Sequence, residues 1–186
     1  MSERVSTAGM YLCYAVETTK GERPTAGYTI IPEIKTMPSF NPAPDTIDST
    51  TLLETEWRTY VEGLKDPGGA LEYGANMTDD LEDVWDGLIK KYEAAAAEGK
   101  QVWFSTVHPK LKNARFYPGK PSSIGINEAG VGDMAETTLY ITPVGAIEKG
   151  EKPGLDEESQ KLVGVSAYST NRAVSAKKTA ANEVGV

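Results

Sequence analysis

The chain has 186 residues, of which 39% are hydrophobic and 25% are charged, and its 27 acidic and 19 basic side chains give a net charge of -8. This composition is typical of a globular protein with one core, and it argues against a DNA-binding protein, which normally neutralises phosphates with clustered lysine and arginine. The longest apolar runs fall far short of the ~20 residues that span a membrane, and the first residues lack a secretory pattern, so we expect a cytoplasmic, non-membrane protein.

Cys13 and His108 are each the only residue of their type, which limits the chemistry that the chain can carry. A lone cysteine forms neither an internal disulfide nor a thiolate metal site. A Cys-His pair is the only imidazole-assisted nucleophile available within one chain, and nothing in the sequence brings the two together. We interpret Cys13 as a buried apolar residue and predict no catalytic, metal or cofactor site.

The first two segments with strand character predict a β-hairpin. Met10–Val16 and Thr29–Lys35 are rich in β-branched and aromatic residues, and the residues between them include glycine and proline typical of turns. Pro32 lies inside the second segment and cannot donate a ladder hydrogen bond. We therefore expect this strand to lie at an edge or to bulge at Pro32.

Residues 36–57 read as a long irregular loop, because they contain three prolines and few apolar positions. A loop of this length in a compact domain is usually either functional or disordered. Its apolar residues follow no regular period, and a permanently solvated loop would rarely keep them. They are Ile47, Leu52, Leu53 and Trp57. We infer that the loop packs on a partner, such as another subunit.

A helix over about residues 79–98 is the clearest local prediction. Its apolar residues recur at helical spacing on one stripe. Thr78 or Asp79 can cap its first turn, and Gly99 can close its carboxyl end. The acidic residues on its surface have helical spacing and lack the glycine-kinked loop of a calcium site, so they indicate a solvated face.

Strands dominate the rest of the body. We predict them at Lys100–His108, Asn113–Pro118, Ile124–Ile126 and Ala135–Val144, after a turn and short strand that end at Tyr73. This order favours an antiparallel α+β or sandwich-like domain over residues 1–150. Residues 151–186 are polar and rich in small residues, which predicts a flexible carboxyl-terminal arm with solvated linker charges at its start.

Charge is segregated along the chain. Residues 41–99 carry 4 basic and 14 acidic side chains, whereas residues 100–124 carry 5 basic side chains and no acidic one. Complementary patches steer association and fix register. Copies of this chain could therefore attract one another.

The order of these parts resembles the major tail tube proteins of long non-contractile-tailed phages. The resemblance covers residues 8–147 and depends on the order and spacing of its pieces. The pieces are Tyr60–Tyr73 with its GLKD-x-GG core, the step from the helix to a strand through Phe104, and Ser122-Ser123-Ile124-Gly125 before the last strand.

The resemblance implies a mainly β (α+β) fold of two packed antiparallel sheets, sandwich-like or barrel-like, flanked by one helix. It also implies a structural virion protein without catalytic activity. Six subunits would form a ring, and stacked rings would form a tail tube that encloses a tape-measure protein and meets tail terminator and tail-tip proteins. DNA would pass through an electronegative lumen without specific binding, and Glu136 is the residue that we expect to face it.

In this family the long loop reaches adjacent subunits, so the resemblance implies that residues 36–57 form an assembly loop. Lys65 and Asp66 lie where this loop rejoins the sheet, at a turn that Pro67 and two glycines already explain. An exposed pair of charges contributes about 0 to 1 kcal/mol, which is too little for a structural role. We therefore interpret Lys65 and Asp66 as subunit contacts, together with the apolar residues of the loop.

Two departures from the family pattern and two alternatives stay open. Pro118 and Pro121 are expected to break the return strand, and residues 151–186 are too few for the immunoglobulin-like module of some relatives. A tail terminator or head-tail joining ring protein shares the fold. A small β-sandwich binding module or hydrolase would instead require an apolar pocket with two convergent acids of perturbed pKa.

Overall fold

The computed structural model describes residues 6–39, 44–65 and 69–163, with the backbone alone at residues 44, 64 and 65. In chain order its elements are β1 (Tyr11–Val16), β2 (Thr29–Ile31), β3 (Ile34–Thr36), β4 (Pro44–Asp48), β5 (Tyr60–Lys65), β6 (Leu71–Asn76), α1 (Asp79–Ala97), β7 (Val102–Val107), β8 (Asn113–Pro121), β9 (Glu136–Pro143) and β10 (Glu148–Glu151). A short helical segment follows at residues 157–163.

The strands form one large sheet and one small one. The large sheet has the order β2-β1-β7-β8-β9-β6-β3, with β10 also paired to β8, and β4 pairs with β5 in the small sheet. These pairs are all antiparallel. Because β2 and β3 are consecutive in the chain yet lie at opposite ends of the order, the large sheet nearly closes into a barrel. The predicted mainly β, antiparallel, barrel-like fold with a flanking helix is confirmed.

The corner that nearly closes the sheet is at Pro32 and Glu33. Ile31 pairs with Leu12 of β1, whereas Ile34 pairs with Ala75 of β6. Glu33 turns the chain with a φ of 62°, a value that residues other than glycine rarely adopt. The predicted edge position is confirmed, since β2 and β3 lie at the two ends of the strand order. The prediction of one strand through this segment is wrong, because proline interrupts the ladder and sends the chain to a different neighbour.

The helix α1 covers one face of the curved sheet. It begins after the cap residue Thr78, whose hydroxyl accepts a hydrogen bond from Leu81 N at 3.3 Å, and it ends before Gly99, whose φ is +68°. Trp85 is fully buried, and its indole N–H donates to the carbonyl of Ser122 at 2.9 Å. The predicted helix and its caps are confirmed. Its buried residues pack with side chains of the inner sheet face, among them Leu12, Tyr73, Phe104, Tyr117 and Ile141.

A second hydrophobic cluster lies on the opposite face of β1, β7 and β8. It contains Tyr28, Trp103 and Phe116, and Leu155 and Val163 from the end of the described chain pack against it. The sheet is thus buried on both faces. Residues 152–163 cover this second face.

Residues 152–163 also complete the free edge of β2. Tyr28 N donates to the carbonyl of Gly154 at 3.0 Å, and Ile30 N donates to Ser159 Oγ at 2.8 Å. Asp156 accepts hydrogen bonds from the hydroxyl of Thr29 at 2.6 Å and from Ser159 N at 2.8 Å. Its prediction as a solvated linker charge is wrong, because it caps the helical segment. The predicted flexible carboxyl-terminal segment beyond residue 163 lies outside the described residues.

Strand β8 runs through both prolines that were expected to break it. In an antiparallel strand the nitrogen and the carbonyl of one residue point toward the same neighbouring strand. The carbonyl of Pro118 accepts a hydrogen bond from Val144 N at 2.8 Å, so the nitrogen of Pro118 points to that side of β8 as well. On that side the partner of β8 changes from β10, which pairs up to Phe116, to β9, which pairs from Gly119. The missing N–H of Pro118 therefore costs no ladder bond, and Pro121 ends the strand.

Residues 124–126 do not form the predicted short strand. The chain there is irregular and lies along the edge of β9, where Ser122 N donates to the carbonyl of Tyr140 and Asn127 N donates to the carbonyl of Glu136, at 2.9 and 3.1 Å. The hydroxyl of Thr137 donates to the carbonyl of Gly125 at 2.5 Å. A segment without regular structure therefore protects this edge.

Candidate assembly surfaces

Cys13 and His108 do not form a nucleophilic pair. The Cys13 thiol is fully buried and donates to the carbonyl of Ser105 at 3.5 Å, and burial raises its pKa to about 12. It is therefore protonated at neutral pH. His108 Nδ1 accepts a hydrogen bond from Lys110 N at 3.1 Å, so Nε2 carries the proton and donates to the carbonyl of Ser6 at 2.7 Å. Both nitrogens hold backbone in place.

A groove of about 460 Å³ lies between the carboxyl half of α1 and strands β1 and β2, and it contains two carboxylates, Glu17 and Glu98. Burial alone would raise the pKa of Glu17, but hydrogen bonds from Trp103, Gly21 and Gln101 lower it overall. The Lys100 ammonium at 2.7 Å lowers the pKa of Glu98. An acid-base pair requires pKa values that are pushed apart, and these two move in the same direction.

Among the described residues, no set of three or more histidine, cysteine, aspartate or glutamate side chains could hold a metal ion. No helix in residues 6–39, 44–65 and 69–163 combines the length and apolarity needed to cross a bilayer.

The most exposed structured segment is the ribbon of β4 and β5, residues 44–65, which we call the arm. Ile47 pairs with Val61, and Asp48 pairs with Tyr60. Within the described residues the arm pairs with no strand of the large sheet. Nearly every described side chain from residue 45 to residue 62 is exposed. The prediction of an irregular loop over residues 36–57 is wrong for β4, which gains its structure from pairing with β5.

Polar contacts fix the tip of the arm. Thr59 N donates to Thr50 Oγ1 at 3.1 Å, and Ser49 N donates to the carbonyl of Thr59 at 2.9 Å. Glu54 accepts hydrogen bonds from Thr51 N and from the hydroxyl of Thr59, at 3.1 and 3.0 Å. Hydrogen bonds from Thr50 also lower the pKa of Asp48. These contacts therefore hold the tip in one shape, although no described residue covers it.

The fixed tip presents the apolar residues that the sequence singled out. Ile47 is 58% exposed on β4, and Leu52, Leu53 and Trp57 at the tip are 104%, 92% and 82% exposed. Apolar side chains at such exposure are not buried against any described residue. Their predicted role as subunit contacts stays a prediction. The side chain of Lys65 and all of Asp66 lie outside the described residues.

Glu136, the predicted lumen residue, is the first residue of β9 and is partly exposed. It pairs with Asn76 of β6, and its carboxylate forms an ion pair with the ammonium of Lys35 on β3. Its position at a lumen stays a prediction.

Sequence reasoning missed two further exposed surfaces. The loop before β9 exposes Ile126, Val131 and Met134. The β7–β8 turn and the adjoining strands expose four cations around Leu111, namely Lys110, Lys112, Arg115 and Lys149, which we call the basic patch. Three of these cations belong to the acid-free segment 100–124, so the segregation of charge along the sequence could have indicated them. Lys149 had no such signal, because no strand was predicted at Glu148–Glu151.

Comparisons with known proteins give a structural likeness without a sequence family. No protein-family model matches the chain, and no curated protein matches it. A chain of the anti-feeding prophage baseplate, determined by cryo-electron microscopy with six-fold symmetry, superposes with a TM-score of 0.56 at 9% identity, covering 81% of this chain and 98% of that one. A chain from the C6-symmetric tail of an empty gene transfer agent particle gives a TM-score of 0.50 at 15% identity, covering 79% and 99%. The chain therefore shares its fold with subunits of six-fold symmetric, phage-like tail assemblies.

Proposed function

We propose that the protein is a non-enzymatic structural virion protein, a subunit of a phage tail tube. In this proposal six copies form a ring, and rings stack into a tube that encloses a tape-measure protein and conducts DNA during genome ejection. Tail terminator and tail-tip proteins would cap its two ends. The six-fold assemblies that share the fold support a ring.

The arm is the single observation that carries the proposal. An isolated two-stranded ribbon is at best marginally stable in water, and contiguous exposed apolar surface in a folded protein marks an interaction site. Leu52, Leu53 and Trp57 stand on such a ribbon, and polar contacts hold them in place. An arm of this kind is suited to contact a neighbouring subunit.

The charge of the chain fits a tube that DNA passes through. With a net charge of -8, its surface would repel phosphates on average, so DNA could slide without being retained. We propose Glu136 as one acidic group of the lumen, and Lys65 and Asp66 as contacts between subunits.

A substitution series at the tip tests the role of the arm. We expect the variant with Leu52→Ser, Leu53→Ser and Trp57→Ser to fold normally, because these side chains are exposed among the described residues, and to lose assembly in sedimentation velocity. A matched control replaces Val131 and Met134 with serine, which removes exposed apolar surface elsewhere. Equal assembly of wild type and the tip variant would contradict the proposal.

A tail terminator or head-tail joining ring is the second candidate. A chain of a six-fold symmetrised baseplate shares the fold, so the fold alone does not select a tube subunit over a ring protein. The two candidates differ in what purified protein builds. A tube subunit grows into long stacks as its concentration rises, whereas a joining protein stops at single rings.

A further inference from the structure

The basic patch has no acidic partner within the described chain. Ion pairs there join Arg23 to Glu148, Lys35 to Glu136, Arg58 to Asp48 and Lys100 to Glu98. None involves Lys110, Lys112, Arg115 or Lys149. The four cations are exposed, and Leu111, which lies between Lys110 and Lys112 in the chain, is 46% exposed.

The strands themselves bring two of these cations together. Lys149 of β10 lies directly opposite Arg115 of β8 in the antiparallel register. Like charges directly opposite each other destabilise a strand pair. An anionic group placed on this pair would relieve that repulsion.

The turn of the patch is held in place before any partner binds. His108 accepts a hydrogen bond from Lys110 N at 3.1 Å, and the carbonyl of His108 accepts one from Leu111 N at 3.2 Å. The ammonium of Lys152 donates to the carbonyl of Pro109 at 2.6 Å and adds positive charge at the base of the turn. A preformed surface loses little conformational entropy on binding.

The arm carries the complementary pattern. The sequence Leu52-Leu53-Glu54-Thr55-Glu56-Trp57 interleaves acidic and apolar residues at its tip. Asp45 and Glu56 are exposed and make no ion pair with a described residue. The basic patch interleaves lysine and leucine in the same way at residues 110–112. The arm therefore offers exposed acidic groups, and the basic patch offers exposed cations.

We propose that the arm of one copy docks on the basic patch of another copy. This inference rests on the proposed function and names the surface that receives the arm. Contact between two different surfaces of identical copies is heterologous, and such contacts generate rings or open helical stacks. Carboxylates at Asp45 and Glu56 face the cations, and the apolar tip covers Leu111.

A second copy fits the basic patch better than DNA does. Four cations are few for a phosphate-binding surface, and Glu148 and Glu151 of β10 lie beside them. DNA would also leave Leu111 uncovered, whereas the arm supplies apolar side chains to meet it.

Charge reversal on each surface tests the proposal. The arm-reversed variant carries Asp45→Lys and Glu56→Lys, and the patch-reversed variant carries Lys112→Glu and Lys149→Glu. We expect each variant alone to self-associate about tenfold or more weakly than wild type, because like charges then meet at every contact. An equimolar mixture of the two should assemble, since the reversed arm meets the reversed patch and the native arm meets the native patch. The control variant, Lys120→Glu with Lys161→Glu, changes charge equally at exposed positions outside the patch and should assemble like wild type.

The outcomes separate this inference from the proposed function. Sedimentation velocity measures assembly, thermal unfolding checks that each variant folds, and retention of a short DNA duplex is measured in parallel. Normal assembly of the patch-reversed variant, or a mixture that does not recover, overturns the inference and leaves the tube function standing. Loss of DNA retention with assembly intact also overturns it, in favour of a nucleic-acid surface. Wild-type protein that never associates contradicts both.

Discussion

At the scale of single residues, Glu17 is the buried carboxylate that connects separate parts of the sheet. It accepts hydrogen bonds from the indole N–H of Trp103 at 2.9 Å, from Gly21 N at 3.0 Å and from Gln101 N at 3.1 Å. The sequence did not indicate this role. Trp103 and Gln101 lie more than eighty positions away, and no local pattern reports such partners.

Replacing Glu17 with alanine should destabilise the fold by about 1 to 3 kcal/mol, because the buried Trp103 indole and the partly buried amides of Gly21 and Gln101 lose their acceptor. Urea unfolding measures the change in the free energy of unfolding. Glu22→Ala is the matched control, since Glu22 is exposed. A loss at Glu17 no larger than at Glu22 would show that the hydrogen bonds contribute nothing net.

Asp156 predicts a pH dependence of stability. Burial alone would raise its pKa, but hydrogen bonds from Thr29 and Ser159 outweigh burial and lower it. A carboxyl whose pKa is lower in the folded state stabilises the fold above its unfolded pKa of about 3.9 and loses that contribution as pH falls through the lower folded value. The difference in the free energy of unfolding between wild type and Asp156→Asn should therefore be full at pH 6 and shrink below about pH 4. A difference that stays constant down to pH 2 would rule out this linkage.

At the scale of elements, local periodicity decided what could be predicted. The α1 helix was predicted within a residue at each end, because its apolar stripe and Thr78 cap are local signals. β4 was missed, because Pro44, Asp45 and Asp48 have low strand propensity and β5 supplies its order. β10 and residues 152–163 were missed for the same reason, since their polar sequence gains structure from distant partners.

The tip of the arm offers a direct test of its order. Replacing Thr50 with alanine removes the acceptor of Thr59 N. A hydrogen bond of this kind contributes about 0.5 to 1.5 kcal/mol, so amide exchange at Thr59 should quicken by roughly three- to tenfold. Hydrogen exchange followed by NMR on the monomer measures it. Unchanged exchange would mean that the contacts at the tip do not hold its shape.

At the scale of the whole molecule, the fold class was predictable and the topology was not. The order of strand segments and one helix pointed to an antiparallel, barrel-like body. The near-closure of the sheet depends on pairings far apart in sequence, such as Leu71 with Ile141 and Tyr11 with Val107, and on the corner at Pro32. The apolar residues of the arm and the cations of residues 100–124 stand out in the sequence, whereas the place of Lys149 in the basic patch depends on β10 and emerged only in three dimensions.

The salt dependence of assembly should distinguish an electrostatic interface between copies from an apolar one. Docking of an acidic arm on a basic patch weakens as ionic strength rises, because salt screens exposed charges beyond about 8 to 10 Å. We expect assembly at 0.1 M salt to exceed assembly at 1 M salt in sedimentation velocity. Assembly that strengthens with salt would indicate an interface dominated by apolar burial.

The central claim is that this chain builds rings that stack into a tube. Electron cryo-microscopy of the concentrated wild-type protein, with and without a tape-measure partner, tests it most directly. We predict six-fold rings that stack, with residues 44–65 of each copy lying against the basic patch of another. Protein that remains monomeric at every concentration, with the partner present, would contradict the claim.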